Sequence, residues 1–145
     1  MEHADIIKMI SVVYRKTQMY LNLQTQDVGI TSGQIPFIMI TCERGAMQQH
    51  QFCDILDIDK STVAKMLGKL ELQGYVTRTP NSRDSRSIDV RPTEKAHAIY
   101  PMLRQIGEDW ATTLTQDMTK IERAIFFEML QKTGGRAMDY FDNIR

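Results

Sequence analysis

At 145 residues, 42% hydrophobic and 25% charged, the chain is long enough for one domain with a sizeable core and too ordinary in composition for a disordered or fibrous protein. The longest apolar run, 35–40, is interrupted by Pro36 and falls far short of the roughly 18 residues of a membrane span; the start MEHADIIK lacks a secretory leader, and Cys42 and Cys53 make no disulfide framework, so a cytoplasmic protein without membrane attachment is expected. The net charge of zero argues against a uniformly basic nucleic-acid binder, yet residues 60–91 carry seven Lys/Arg against three acids (+4), while 1–59 carry four against seven (−3) and 92–145 seven against eight (−1).

Residues 3–26 read as one long helix, with Ile6, Ile10, Val13, Tyr14, Thr17 and Leu21 on one face and Ile7 and Tyr20 beside it. Gly29-Ile30 breaks it. Thr31-Ser32-Gly33-Gln34 then has the form of a capping box, and Ile35, Phe37, Ile38, Met39, Ile40 and Cys42 make a helix apolar nearly all round, hence central, with Pro36 tolerated in its first turn. It ends near Glu43-Arg44-Gly45. Residues 48–56 read as a short helix with Phe52, Cys53, Ile55 and Leu56 inward, and Asp57-Ile58 as a tight turn with Ile58 buried.

Asp59 is a good N-cap for the next helix. Val63, Leu67 and Leu70 recur on its inner face, widened by Met66; Lys60, Ser61, Thr62, Lys65 and Lys69 point away from it. Gly74 is a C′ stop. Residues 75–79 and 88–91 have strand composition and are joined by a loop carrying Asn81, Arg83, Asp84 and Arg86. A polar, basic helix face suits the major groove, about 12 Å wide, and a basic hairpin tip can reach phosphates or the minor groove beside it. The fold expected is mainly α with a small β-hairpin wing, a winged helix-turn-helix, and the partner is double-stranded DNA.

After Pro92 ends the sheet, Thr93 can cap a helix carrying Ala96, Ile99, Tyr100, Leu103, Ile106, Trp110 and Leu114 to about Asp117; Pro101 predicts a kink or local break. A last helix starts near Thr119 with Ile121, Ile125, Phe126, Met129 and Leu130 as its stripe. Gly134-Gly135 is expected to break it before Met138, Tyr140, Phe141 and Ile144 resume the pattern. The chain is thus read as a single domain, 1–145, with a reading head at about 30–92, a linking helix at about 93–117 and terminal helices at about 3–27 and 118–145. The terminal helices carry more apolar face than the head can cover, which predicts a homodimer; an intrachain helical hairpin is the alternative. Two-fold readers set their heads about 34–36 Å apart on a pseudo-palindromic site.

The run from Ser61 through Leu70-Glu71-x-x-Gly74-Tyr75-Val76-x-Arg78, then Asp84-Ser85-Arg86, then Val90-x-Pro92-Thr93 resembles the MarR family of transcription regulators, and the likeness covers nearly the whole chain. The resemblance implies an obligate homodimer with intertwined terminal helices, repression as the default, and a small, often aromatic effector bound between the dimer helices and the head. The sequence departs from the family pattern at Gln48, where a Ser or Thr cap is usual, at Asp57, where Gly is frequent, at Gly68 inside the recognition helix, and at Pro92 and Ala96 in place of Leu and Gly.

The resemblance makes Arg86 a wing contact to DNA, with Asp84 holding the wing by pairing with a nearby Arg; the bland reading is a surface ion pair worth little. Arg83 and Asn81 become phosphate contacts, Ser61, Thr62 and Lys65 groove-facing residues, and Lys60 and Lys69 phosphate contacts, with only base-edge contacts specifying sequence. Arg78 either braces the wing or touches DNA. Candidate effector-lining residues are Tyr14, Met39, Tyr100 and Trp110, each of which also reads as ordinary core. Cys42 and Cys53 sit in apolar helix patterns and read as structural, with redox sensing the alternative. His3, His50 and His97 lack ligand spacing, so no metal and no cofactor are expected. No phosphate loop or nucleophile elbow argues for an enzyme. The rival to DNA binding is a winged-helix module for protein partners, which calls for an apolar exposed face on the helix after Asp59.

Overall fold

The computed structural model describes residues 1–144. Its elements are α1 (His3–Gln24), α2 (Ile35–Arg44), β1 (Met47–Gln48), α3 (Gln51–Leu56), α4 (Lys60–Leu72), β2 (Val76–Pro80), β3 (Ile88–Pro92), α5 (Glu94–Leu114) and α6 (Lys120–Asp142), with a single 3-10 turn at Gln26–Val28. Two compact units divide the chain, 1–110 and 111–145.

In the first unit, Ile35, Phe37 and Ile38 of α2, Phe52 of α3, Val63, Leu67 and Leu70 of α4, Val76, Val90 and Leu103 form one buried core. Phe37 and Phe52 stack with ring centres 5.3 Å apart. The inner face of α4 is the one its spacing predicts. Asp59 caps it, accepting a hydrogen bond from the Thr62 N–H at 3.1 Å. At its other end the Gly74 N–H donates to the Glu71 carbonyl and the Tyr75 N–H to the Leu70 carbonyl, with Gly74 at φ +83°, which is a Schellman motif. Asp57, at φ 54°, takes the left-handed conformation in the turn before α4, which a short polar side chain tolerates. The Gln34 amide donates to Gln73 at 2.7 Å, and Gln73 donates to the Gly29 carbonyl at 2.9 Å, tying the end of α4 to the start of α2.

Several expectations need correction. The sheet has three strands in the order β1-β3-β2, because Met47 and Gln48 pair with Val90 and Asp89 in place of opening α3, which starts at Gln51. Pro80 and Pro92 are the last residues of their strands, one residue beyond the expected bounds, with Val76 opposite Pro92 and Pro80 opposite Ile88, so Pro92 does end the sheet. Residues 31–34 form a turn, and α2 begins at Ile35. There the Thr31 N–H donates to Gln34 Oε1 at 3.0 Å, one half of the expected capping box. Pro101 lies inside α5 without ending it. A proline there leaves one carbonyl without its helical donor, and the residue is exposed.

In the second unit α6 begins with a true capping box, Glu122 N–H to Thr119 Oγ1 at 3.2 Å and Thr119 N–H to Glu122 Oε2 at 2.8 Å. It runs on through Gly134 and Gly135 with no break. Glycine costs about 1 kcal/mol in a helix interior, which flanking helical residues can absorb.

Candidate nucleic-acid interface

Lys60, Ser61, Thr62, Lys65 and Lys69 are all exposed on α4, opposite the buried Val63, Leu67 and Leu70. The exposed face is polar and basic, apart from Leu72 at its end. Asp59 organises the start of this face. It accepts from the Ser61 hydroxyl at 3.0 Å as well as from Thr62. Hydrogen bonds from the Thr62 side chain first, then the Ser61 side chain and the Thr62 backbone N–H, hold its carboxyl below the usual value.

The wing tip is a pair of side-chain-closed turns. Asn81 Oδ1 accepts from the Arg83 and Asp84 N–H groups at 2.9 and 3.0 Å, while Asn81 Nδ2 donates to Asp89 at 2.9 Å. Asp84 Oδ1 accepts from the Arg86 N–H at 3.0 Å and from Arg86 Nε at 3.4 Å. Asn81 and Asp84 therefore build the tip, and Arg83 and Arg86 are displayed by it. The Arg86 side chain is 93% exposed.

A cleft of about 200 Å³ joins the two halves of this surface, lined among others by Gln49, His50 and Cys53 from the α3 side, Lys60 and Val63 of α4, and Arg86 of the wing. Lys60 and Arg86, assigned from separate motifs, thus border one concavity. Gln49 and His50 had no signal in the sequence: a polar run before a short helix has no period to mark which side chain faces the groove.

Arg78 turns inward. It makes a 3.2 Å ion pair with Glu71 of α4 and donates to Gln49 at 3.3 Å. Its alternative as a brace is the one the geometry takes in the free protein. Glu71 is part of the L-E-x-x-G run, and the missing signal was its partner seven residues on.

Of the effector candidates, Tyr14 is 65% exposed on α1, Met39 packs against the core, and Tyr100 is half-buried on α5. Trp110 stacks on Tyr20 at 4.4 Å and donates to Thr17 at 2.8 Å. Both cysteines are half-buried. Burial first and the Glu43 carboxylate second push the Cys42 thiol up, which lowers its thiolate fraction. Among the described residues no group of three or more His, Cys, Asp or Glu could hold a metal, and no helix is long and apolar enough to cross a membrane.

The sequence profile of the MarR family matches residues 28–87. A MarR transcriptional regulator from Methanosarcina mazei Go1, known as a crystal structure, is 31% identical, with a TM-score of 0.88 over 94% of this chain and 99% of that one. The HTH-type regulator YybA of Bacillus subtilis (strain 168) is 26% identical over 88% of this chain and 85% of its own. A mutant of Escherichia coli MarR crystallised with operator DNA is 26% identical, with a TM-score of 0.81 over 89% of this chain and 93% of that one.

Proposed function

The chain belongs to the MarR family of transcriptional regulators, and from that premise we propose that it binds double-stranded DNA sequence-specifically, as a homodimer on a pseudo-palindromic operator. The observation that carries this reading is the polar, basic outer face of α4, whose Lys60 borders one cleft with Arg86 of the wing. In the bound state α4 enters the major groove, where Ser61, Thr62 and Lys65 meet base edges. Lys60, Lys69 and Arg83 meet phosphates, and Arg86, once it lets go of Asp84, enters the neighbouring minor groove, where negative potential favours a guanidinium. The protein-binding alternative needs an apolar face on α4, and α4 offers only Leu72 there.

Dimerisation is supported by the apolar faces left open in each unit. Helix α1 has no buried residue and exposes Ile7, Ile10 and Tyr14; α6 has none either and exposes Ile121, Ile125 and Leu130. A dimer seated over a promoter excludes polymerase, so repression in the cytoplasm is the expected outcome. A small aromatic effector held by Tyr14, Met39, Tyr100 and Trp110 would relieve it if it favours the arrangement in which the two heads no longer fit the operator. Trp110 is the only tryptophan, so its emission reports such binding directly.

The test is fluorescence anisotropy with DNA from upstream of the protein's own gene, a scrambled duplex and an Arg86→Ala variant, across a salt series. Saturable, salt-sensitive binding that prefers the native duplex and weakens in the variant is the expected result. A folded dimer that binds neither duplex at low salt overturns the reading.

A further inference from the structure

Arg78 is held at four points by two residues outside its own strand, one in α4 and one in the turn before α3. Its backbone N–H donates to Glu71 Oε2 at 3.0 Å, its Nε and Nη2 donate to Glu71 Oε1 at 3.3 and 3.2 Å, and its Nη1 donates to Gln49 Oε1 at 3.3 Å. The Arg78 and Glu71 side chains are 24% and 39% exposed, against 93% for Arg86 in its own pair. Gly68, one turn before Glu71, lies beside the guanidinium: a Cβ there would stand at ordinary contact, 3.5 Å from Arg78 Nη2. Gln49 is itself fixed, its N–H donating to the Ile88 carbonyl at 2.8 Å. Arg78 pairs with Val90 in the middle of the sheet, and Val90 pairs with Met47 of β1. One side chain therefore joins α4, the root of the wing and the turn that leads into α3.

Apolar burial of Leu67, Leu70 and Val76 keeps α4 on the sheet, but burial is non-directional and leaves its angle loosely set. Charge-assisted hydrogen bonds from a planar guanidinium are directional. We propose that Glu71, Arg78 and Gln49 are positioning residues that fix α4 relative to the wing and to α3, so that they govern DNA affinity and base discrimination without touching DNA. This rests on the DNA-binding reading above. The competing role, in which Arg78 leaves Glu71 to grip a phosphate, makes opposite predictions for the carboxylate: neutralising Glu71 would then free the guanidinium and leave binding equal or tighter.

The experiment compares the full-length protein with Arg78→Met, Arg78→Lys, Glu71→Gln and the Glu71→Gln/Arg78→Met double variant, on the duplex the wild type prefers and on duplexes with single base changes. Affinity is read across a salt series and folding by thermal melts. Loss of preference by the wild type, or no effect of Arg86→Ala, counts against the DNA-binding reading and is seen before any Arg78 variant is scored. With that reading standing, Glu71→Gln and Arg78→Met each weaken binding about tenfold and narrow discrimination, while the slope of log affinity against log salt is unchanged. The double variant is no weaker than Arg78→Met alone, and Arg78→Lys, which keeps the charge but not the fork, does not restore affinity. Glu71→Gln keeps an acceptor for the Arg78 N–H, so it decides the matter if Arg78→Met fails to fold. A salt slope reduced by about 0.9 in Arg78→Met with undiminished binding by Glu71→Gln overturns the proposal in favour of a phosphate contact. Full affinity in folded variants that merely melt earlier overturns it in favour of a purely structural role.

Discussion

Asp59 does two things at once, and they separate experimentally. As the cap of α4 it accepts from Thr62 and Ser61, and its carboxyl lies below the usual 3.8. A depressed folded-state value means that the stabilisation is complete above the ordinary carboxylate range and is lost as pH falls through the folded value. Asp59→Ala should therefore lower the thermal midpoint at about pH 6, and its deficit should shrink as the pH is taken below about 3.8. The second effect falls on Ser61. Its hydroxyl proton is given to Asp59 at 3.0 Å, so in the proposed complex a base facing it would meet lone pairs. Ser61→Ala should then cost about 1 kcal/mol of preference for a base bearing an amino donor, adenine or cytosine, with the salt dependence unchanged; a set of duplexes varied one base pair at a time measures it.

The recognition helix is the element whose sequence and structure agree most closely, and Gly68 is its one local weakness. The space above it admits a methyl group at ordinary contact with Arg78 Nη2. Gly68→Ala should raise stability by up to about 1 kcal/mol in a denaturant titration, whereas a larger residue there should displace Arg78 and weaken DNA binding. Helix α4 was legible because Asp59, the Val63/Leu67/Leu70 spacing and Gly74 are local signals that agree. The wing was legible as a charged loop between two strands, but the turns that Asn81 and Asp84 close with their own side chains were not, because Asn81 reads equally as an exposed phosphate contact. Strand β1 was not, because two residues, Met47 and Gln48, carry no period, and only the ladder offered by Val90 and Asp89 makes them a strand. The break expected at Gly134-Gly135 does not occur in α6, and Pro101 does not break α5, because single breakers are outweighed by long helical flanks. Within the candidate interface, side chains facing outward from a periodic helix were found and those joined across 29 residues, as Gln49 and Arg78 are, were not.

At the scale of the whole molecule the charges and the apolar faces divide the labour. The +4 of residues 60–91 is concentrated on the reading surface, so the neutral total does not weaken the attraction to phosphate where it counts. The apolar faces of α1 and α6 predict a particle of twice the 16.8 kDa chain mass in light scattering, and Ile10→Glu or Ile125→Glu should shift it toward the monomer and abolish operator binding without changing any residue of the head. In the proposed homodimer, α1 and α6, which bury nothing completely within one chain, would gain their cover only on association, so the stability of these two helices would be coupled to assembly. The melting temperature should then climb with protein concentration, by mass action. For a regulator this makes abundance a property sensed by the fold itself. In that dimer, chains that fail to meet when copies are scarce would be left with α1 and α6 uncovered and open to proteolysis, so the active pool would fall faster than the total and the switch would acquire a threshold from its terminal helices alone.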